Sequence, residues 1–266
     1  MNWWPHVVSL EFRKILVFRT EFWVTFLGQA LVQLVIARSL WTAIFEEQRV
    51  TEMNGFTLPM LTLYYVIVPI GTRILTGENI GFLSREIYEG TFTRYLLYPL
   101  SWFQYKTLTY FSYSLFYALQ LMVFFLGYKL FLTGGISASE FGNLLLGIAL
   151  FLVSSLMYLL MSMAVELLAL WADNIWSLMV MLRFFSNFLG GALIPLAFFP
   201  EQAREILSYT PFPNLVSLPA RTIMGLTSAQ EIFKGLLVIG FWGVILAFLV
   251  NLLWQRGQKK YNGVGI

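Results

Sequence analysis

Ionisable residues in two settings are where this sequence could do chemistry. Glu166 and Arg183 lie inside long apolar runs, where a charge is expensive and commonly functional. Arg85, Glu86, Glu89 and Arg94 instead crowd into the stretch SREIYEGTFTRYLLYPLSWFQYK, residues 84–106, between two nearly uncharged segments. Glu166 is seven residues before Asp173 and Arg183 ten residues after it, on spans that run antiparallel. At 1.5 Å per residue their depths differ by only about 5 Å, so an ion pair between them is expected. The alternative is a place in a substrate pathway, shared with Asn187 and the cluster Phe184, Phe185 and Phe188.

Most other chemistry lacks its groups. The chain has no cysteine, which removes disulfides, thiolate metal sites and cysteine nucleophiles. His6 is the only histidine and stands near Trp3 and Trp4, so it reads as an interfacial residue. No G-x-x-x-x-G-K-[ST] phosphate loop is present, so nucleotide hydrolysis by that route is excluded. There is no histidine cluster, no paired-carboxylate motif and no G-x-S-x-G elbow. A non-enzymatic chain with no metal or cofactor of its own is expected. Arg38, Arg73, Lys129 and Lys234 lie near span ends, where long side chains reach the headgroups.

The elements that carry these residues are membrane helices. Hydrophobic residues make up 58% of the chain and charged residues 12%, against about 25% charged in a soluble domain. Mean hydropathy is +0.72. Six apolar spans follow, at roughly 22–45, 57–77, 105–132, 143–172, 175–198 and 232–254. Ser101 with Gln104, Ser137 with Glu140 and Ser228 with Glu231 predict capping boxes ahead of the third, fourth and sixth spans, and Asp173 is a plausible cap for the fifth. Arg13, Lys14, Arg19, Arg85, Arg94, Lys106, Arg256, Lys259 and Lys260 fall on one side, and only Arg49, Arg204 and Arg221 on the other. That bias puts both termini and the 78–106 hairpin in the cytoplasm. The net charge of +3 is then membrane topology and attraction to anionic lipid, with no nucleic-acid partner.

Residues 1–21 predict an interfacial helix on the inner leaflet. Val8, Phe12, Ile15 and Phe22 share an apolar arc, whereas Ser9, Arg13, Lys14 and Thr20 lie mostly opposite. Glu11, Arg13 and Lys14 interrupt any signal-peptide core. Residues 199–231 read as a partly re-entrant outer segment. Pro200 suits the start of a short helix with Ala203, Ile206 and Leu207 on one face; Pro211 and Pro213 break it, and a second helix ends at Gly225. In the charged hairpin, Ser84 is a candidate cap for a helix ending at Gly90, and TFTRYLLY forms a second turn that stops before Pro99. Arg85, Glu86, Glu89 and Arg94 then face the cytoplasm, with Leu96 and Leu97 against the bilayer or neighbouring spans. The fold class is an all-α polytopic membrane protein with six transmembrane helices.

In order and spacing, REIYEGTFTRYLLYPLS and GGALIPLAFFPEQAREILSYTPFPNLVSLPARTIMG resemble the permease subunit of type-2 ABC exporters, in the branch whose ATPase is encoded separately. The resemblance covers essentially the whole chain, read as one transmembrane permease domain over 1–266. It implies a bacterial inner-membrane location and pairing with a second permease copy or a paralogue. ATP and magnesium would be bound by a partner ABC ATPase subunit, which would seat the hairpin residues Arg85, Glu86, Glu89, Gly90 and Arg94, with Glu86 and Glu89 meeting basic residues there. A hydrophobic or amphipathic substrate would move outward. A secondary transporter would show internal repeats, and residues 1–133 and 134–266 show none. A lipid-modifying membrane enzyme would need a catalytic cluster that the sequence lacks.

Overall fold

The computed structural model describes residues 3–17, 19–77, 81–97, 101–132, 134–172 and 174–260. The chain opens with α1 (Trp4–Val17) and the 30-residue α2 (Arg19–Gln48). A small antiparallel hairpin, β1 (Glu52–Met53) and β2 (Phe56–Thr57), turns the chain into α3 (Leu58–Thr76). Asn54 and Gly55 both take positive φ there, as a tight two-residue hairpin turn requires, and the Asn-Gly dipeptide is its sequence signal. The charged hairpin follows as α4 (Leu83–Tyr88), a 3-10 turn (Thr91–Thr93) and α5 (Arg94–Leu97). Then come α6 (Trp102–Leu132), α7 (Ala138–Leu167) with a 3-10 extension (Leu168–Leu170), and α8 (Trp176–Leu189). Three short helices, α9 (Glu201–Leu207), α10 (Phe212–Leu215) and α11 (Ser217–Ile223), lead to α12 (Ala229–Gly257).

Among the described residues, α3, α6, α7 with its extension, and α12 are long and apolar enough to cross a membrane, and α8 is a shorter apolar helix. The protein is therefore an all-α polytopic membrane protein. Its centre is α3, whose Leu61, Tyr64, Ile67, Ile70 and Ile74 are fully buried among α2, α6, α7 and α11. Gly71 permits the closest of these contacts: a Cβ there would stand 2.2 Å from Cζ of Phe151 on α7. Gly147 does the same for α11, since a Cβ would stand 2.3 Å from Cγ1 of Ile223. Small residues at crossing points let membrane helices approach backbone to backbone.

A buried helix end needs partners for its last carbonyls. At the end of α3 they come from α6, where the Tyr110 hydroxyl reaches the Leu75 and Ser155 carbonyls and Ser114 donates to the Ile74 carbonyl at 2.9 Å. All three expected capping boxes are present, as Ser101–Gln104, Ser137–Glu140 and Ser228–Glu231. Asp173 lies outside the described residues, and Ile175 occupies the N-cap of α8 without a side-chain bond.

The fifth apolar run differs from expectation. Helix α8 has 14 residues and stops at Leu189, short of the predicted limit at 198. Gly191, at φ +88°, closes it in a Schellman motif: its N–H donates to the Phe188 carbonyl at 3.2 Å, and the Ala192 N–H to the Asn187 carbonyl at 2.7 Å. The hydroxyls of Tyr64 and Tyr65 hold the following turn, donating to the carbonyls of Gly191 and Leu193 at 2.8 and 2.9 Å. Apolarity continues through Phe199, but the helix does not.

In the segment after it, Pro200 is the N-cap of α9 and not its first residue. Leu207 is buried as expected, whereas Ile206 is exposed. Helices α10 and α11 pack on the side of α7, and the Ser154 hydroxyl of α7 donates to the Asn214 carbonyl at 2.7 Å. Helix α1 packs on α6 through Ile15 and a fully buried Glu11, which pairs with Lys14 at 2.8 Å.

Candidate coupling site at the charged hairpin

The hairpin is anchored before it is charged. Leu83, Phe92 and Tyr95 are buried with Trp102, Tyr110 and Leu167, and Trp254 of α12 stacks on Trp102 at 5.3 Å. Gly90 supplies the left-handed residue between the two helical turns, at φ +71°. The start of α4 corrects one expectation. Ser84 lies inside the helix, Phe82 is the N-cap, and no side chain among the described hairpin residues caps it. The acceptor comes from α7: the Glu166 carboxylate takes the backbone N–H of Gly81 and, at 3.2 Å, that of Phe82. A carboxylate at this end also complements the partial positive charge of the exposed N–H groups.

Glu86 turns inward, away from the exposed position expected of it. One carboxylate oxygen accepts from Arg94 and from the Tyr95 hydroxyl, both at 2.8 Å, and the other lies 3.7 Å from Nζ of Lys106. Its side chain is 12% exposed and that of Lys106 only 6%. Burial pushes the Tyr95 phenol above its ordinary value, and the Glu86 carboxylate adds to the shift, so Tyr95 stays a proton donor. Lys106 also interacts electrostatically with Glu166. Two hairpin turns, the start of α6 and the end of α7 thus share one chain of charges: Arg94, Glu86, Lys106, Glu166. Lys106 and Tyr95 were missed as members. Lys106 begins the span after the hairpin and Tyr95 neighbours Arg94, but neither position announces an inward carboxylate.

Arg85 and Glu89 form the outward face. They pair at 2.7 Å across one helical turn, and both are substantially exposed. Leu97 is 81% exposed, so of the two expected settings, bilayer or neighbouring spans, it does not take the second. The side chain of Leu96 lies outside the described residues.

Glu166 and Arg183 do not meet. Glu166 is committed to the hairpin, and exposed Arg183 sits beside the Tyr158 hydroxyl of α7. Their depths were misjudged because residues 168–172 and 174–175 are not α-helix: Glu166 is at the end of α7, whereas Arg183 is seven residues into α8, about 10 Å deeper. Asn187 is half-buried on the same helix, beside a stack of Phe184 on Phe188 at 5.9 Å.

A membrane bundle of this kind, carrying a braced polar hairpin, has a family. Residues 31–265 match the family model described as ABC-2 family transporter protein. The chain belongs to the ABC-2 transporter family. No curated protein and no solved structure matches it. Among the described residues of this ABC-2 transporter, no group of three or more acidic or histidine residues could hold a metal ion.

Proposed function

We propose that the protein is the permease subunit of an ATP-driven exporter, coupled to a separate ATPase through the α4–α5 hairpin. The observation that carries this reading is the brace itself. A surface loop kept out of lipid by its charges needs no buried carboxylate from a helix 85 residues away, but a loop that transmits force does. Arg85, Glu89 and Leu97 face outward and suit contact with the ATPase, whereas Gly90, Glu86 and Arg94 keep the two turns in one piece. In this reading the chain has six spans, with α2 and α8 completing the set, and both termini are cytoplasmic in a bacterial inner membrane. The segment from α9 to α11 is the partly re-entrant outer lid, and a second copy or paralogue completes the pathway. The substrate is hydrophobic or amphipathic, and Arg183 and Asn187 on α8 lie along its route.

The test is reconstitution with the ATPase encoded beside the permease. The purified chain alone is expected to hydrolyse no ATP, and the two together to co-purify and turn over ATP. Robust hydrolysis by the isolated chain refutes the reading. Reporters at either terminus, or inserted near Gly90, are expected on the cytoplasmic side, and those near Gly134 or Gln202 outside.

A further inference from the structure

At the end of the bundle opposite the charged hairpin, the β1–β2 turn, α9, α10, α11 and the start of α12 enclose an open cavity of about 540 Å³. Its walls carry three cations, Arg204, Arg221 and Lys234, against one carboxylate, Glu231. Arg221 is occupied, donating to the Leu226 carbonyl at 2.9 Å and lying 3.5 Å from Glu231. The Arg204 side chain has no ion-pair or hydrogen-bond partner among the described residues, and Lys234 lies over the Tyr209 ring at 5.8 Å. Two cations on this wall therefore lack a counter-charge.

The second, independent observation is Asn214. It is 8% exposed and lines the cavity, and its backbone is accounted for: the N–H donates to Pro211 at 3.1 Å and the carbonyl accepts from Ser154. Its side-chain amide has no hydrogen-bond partner among the described residues. The amide opens to the cavity, so it can donate to a ligand there. The site is also shaped by a close approach. A Cβ at Gly235 would stand 2.8 Å from Oδ1 of Asn214 and 2.4 Å from Leu218, so any side chain there would push both of these away from their present positions.

We infer that this cavity binds an acidic headgroup, a phosphate or carboxylate, on a molecule with an apolar body. Arg204 and Lys234 neutralise the anion and the Asn214 amide donates to it. The apolar remainder of the ligand lies along Leu207, Leu218 and Val238, which share the cavity wall. The headgroup can come from a membrane lipid or from an exported acid leaving the protein. The inference goes beyond the permease reading and does not depend on ATP coupling, since the chain is tested alone.

The experiment is titration of the purified protein in neutral detergent with monododecyl phosphate, read by native mass spectrometry. Inorganic phosphate and dodecanol serve as controls for charge alone and chain alone. One saturable dodecyl phosphate is expected per chain, weakened at least tenfold by R204Q with K234Q and, independently, by N214D, which puts a carboxylate of the same size against the anion. Arg204 and Lys234 lie on exposed positions, so their double variant should elute in size-exclusion chromatography as the unaltered protein does. Competition by phosphatidylglycerol but not phosphatidylcholine, both in nanodiscs, assigns the site to lipid; no competition by either assigns it to an exported acid. Binding that does not saturate, that dodecanol matches, or that survives both variants overturns the inference.

Discussion

The carboxylate of Glu166, at the end of α7, caps the start of α4 by accepting the backbone N–H groups of Gly81 and Phe82. The hairpin is therefore tied to a membrane helix at its backbone and not only through side chains that can swing. Glu86 adds the second tie, through Lys106 to the start of α6. A push on α4 reaches two long helices at once. Under the permease reading, this is how a displacement at the cytoplasmic face would be delivered to the spans.

Truncation at Glu166 gives the first prediction. E166A leaves two part-buried N–H groups without their acceptor, and since an unsatisfied buried group costs about 1–3 kcal/mol, partial access to water keeps each loss towards or below the low end of that range. E166Q keeps one acceptor oxygen but loses the charge, and is expected to lose less. Thermal unfolding of the purified variants should therefore rank wild type above E166Q above E166A. ATP turnover of the complex should fall in the same order while membrane insertion is unchanged. Equal stability for E166A and wild type would dismiss the brace.

The second prediction separates the inner and outer ion pairs. Glu86 and Lys106 are both largely buried, whereas Arg85 and Glu89 are exposed within one helix. A cycle of E86Q, K106M and the double variant is expected to give a coupling energy of about 1 kcal/mol or more. The same cycle on Arg85 and Glu89 should give little, and less still in high salt. In the reconstituted complex the ranking should invert for ATPase affinity, with R85E and E89K the more damaging to association. If both cycles give the same coupling, burial of Glu86 is unimportant.

Local chemistry was the legible part of this fold. The capping boxes were readable because both partners lie three residues apart, and they appear with bonds of 2.9–3.3 Å. The short end of α8 was announced by Gly190 and Gly191 but hidden by ALIPLAFF, since hydropathy registers apolarity and not helix. The inward turn of Glu86 was not readable. Its partners lie 8, 9 and 20 residues away, and only the burial of Phe92 and Tyr95 decides which side of the hairpin faces the bundle. Glu166 was singled out correctly as a costly buried charge, yet its partners are backbone groups, which carry no residue type for a sequence to display.

The separation of Glu166 from Arg183 yields a third prediction. With no shared partner, the stability losses of E166Q and R183Q should add to within about 0.5 kcal/mol in the double variant. Their phenotypes should also differ. E166Q is expected to lower ATP turnover in the complex, whereas R183Q, beside Tyr158, should alter transport of particular substrates with turnover retained. A coupling energy well above that figure would restore the direct pair.

Two glycines separate backbone strain from steric collision. A Cβ at Gly90 would meet nothing within 4 Å, so only its φ of +71° opposes substitution. A left-handed residue costs roughly 1–2 kcal/mol for an ordinary side chain, less for asparagine and more for a β-branched one. Stability should therefore fall from wild type through G90N and G90A to G90V, with G90N nearly intact. At Gly147 the conformation is helical and the obstacle is material: Ile223 at 2.3 Å and the Pro219 carbonyl at 2.9 Å. There G147N should be worse than G147A, because size and not φ decides. Combining G147A with I223A should recover part of the loss but not all, since the Pro219 carbonyl is backbone and cannot be trimmed. Thermal unfolding of the six variants checks both orders, and an asparagine that is the best replacement at both positions would contradict the distinction.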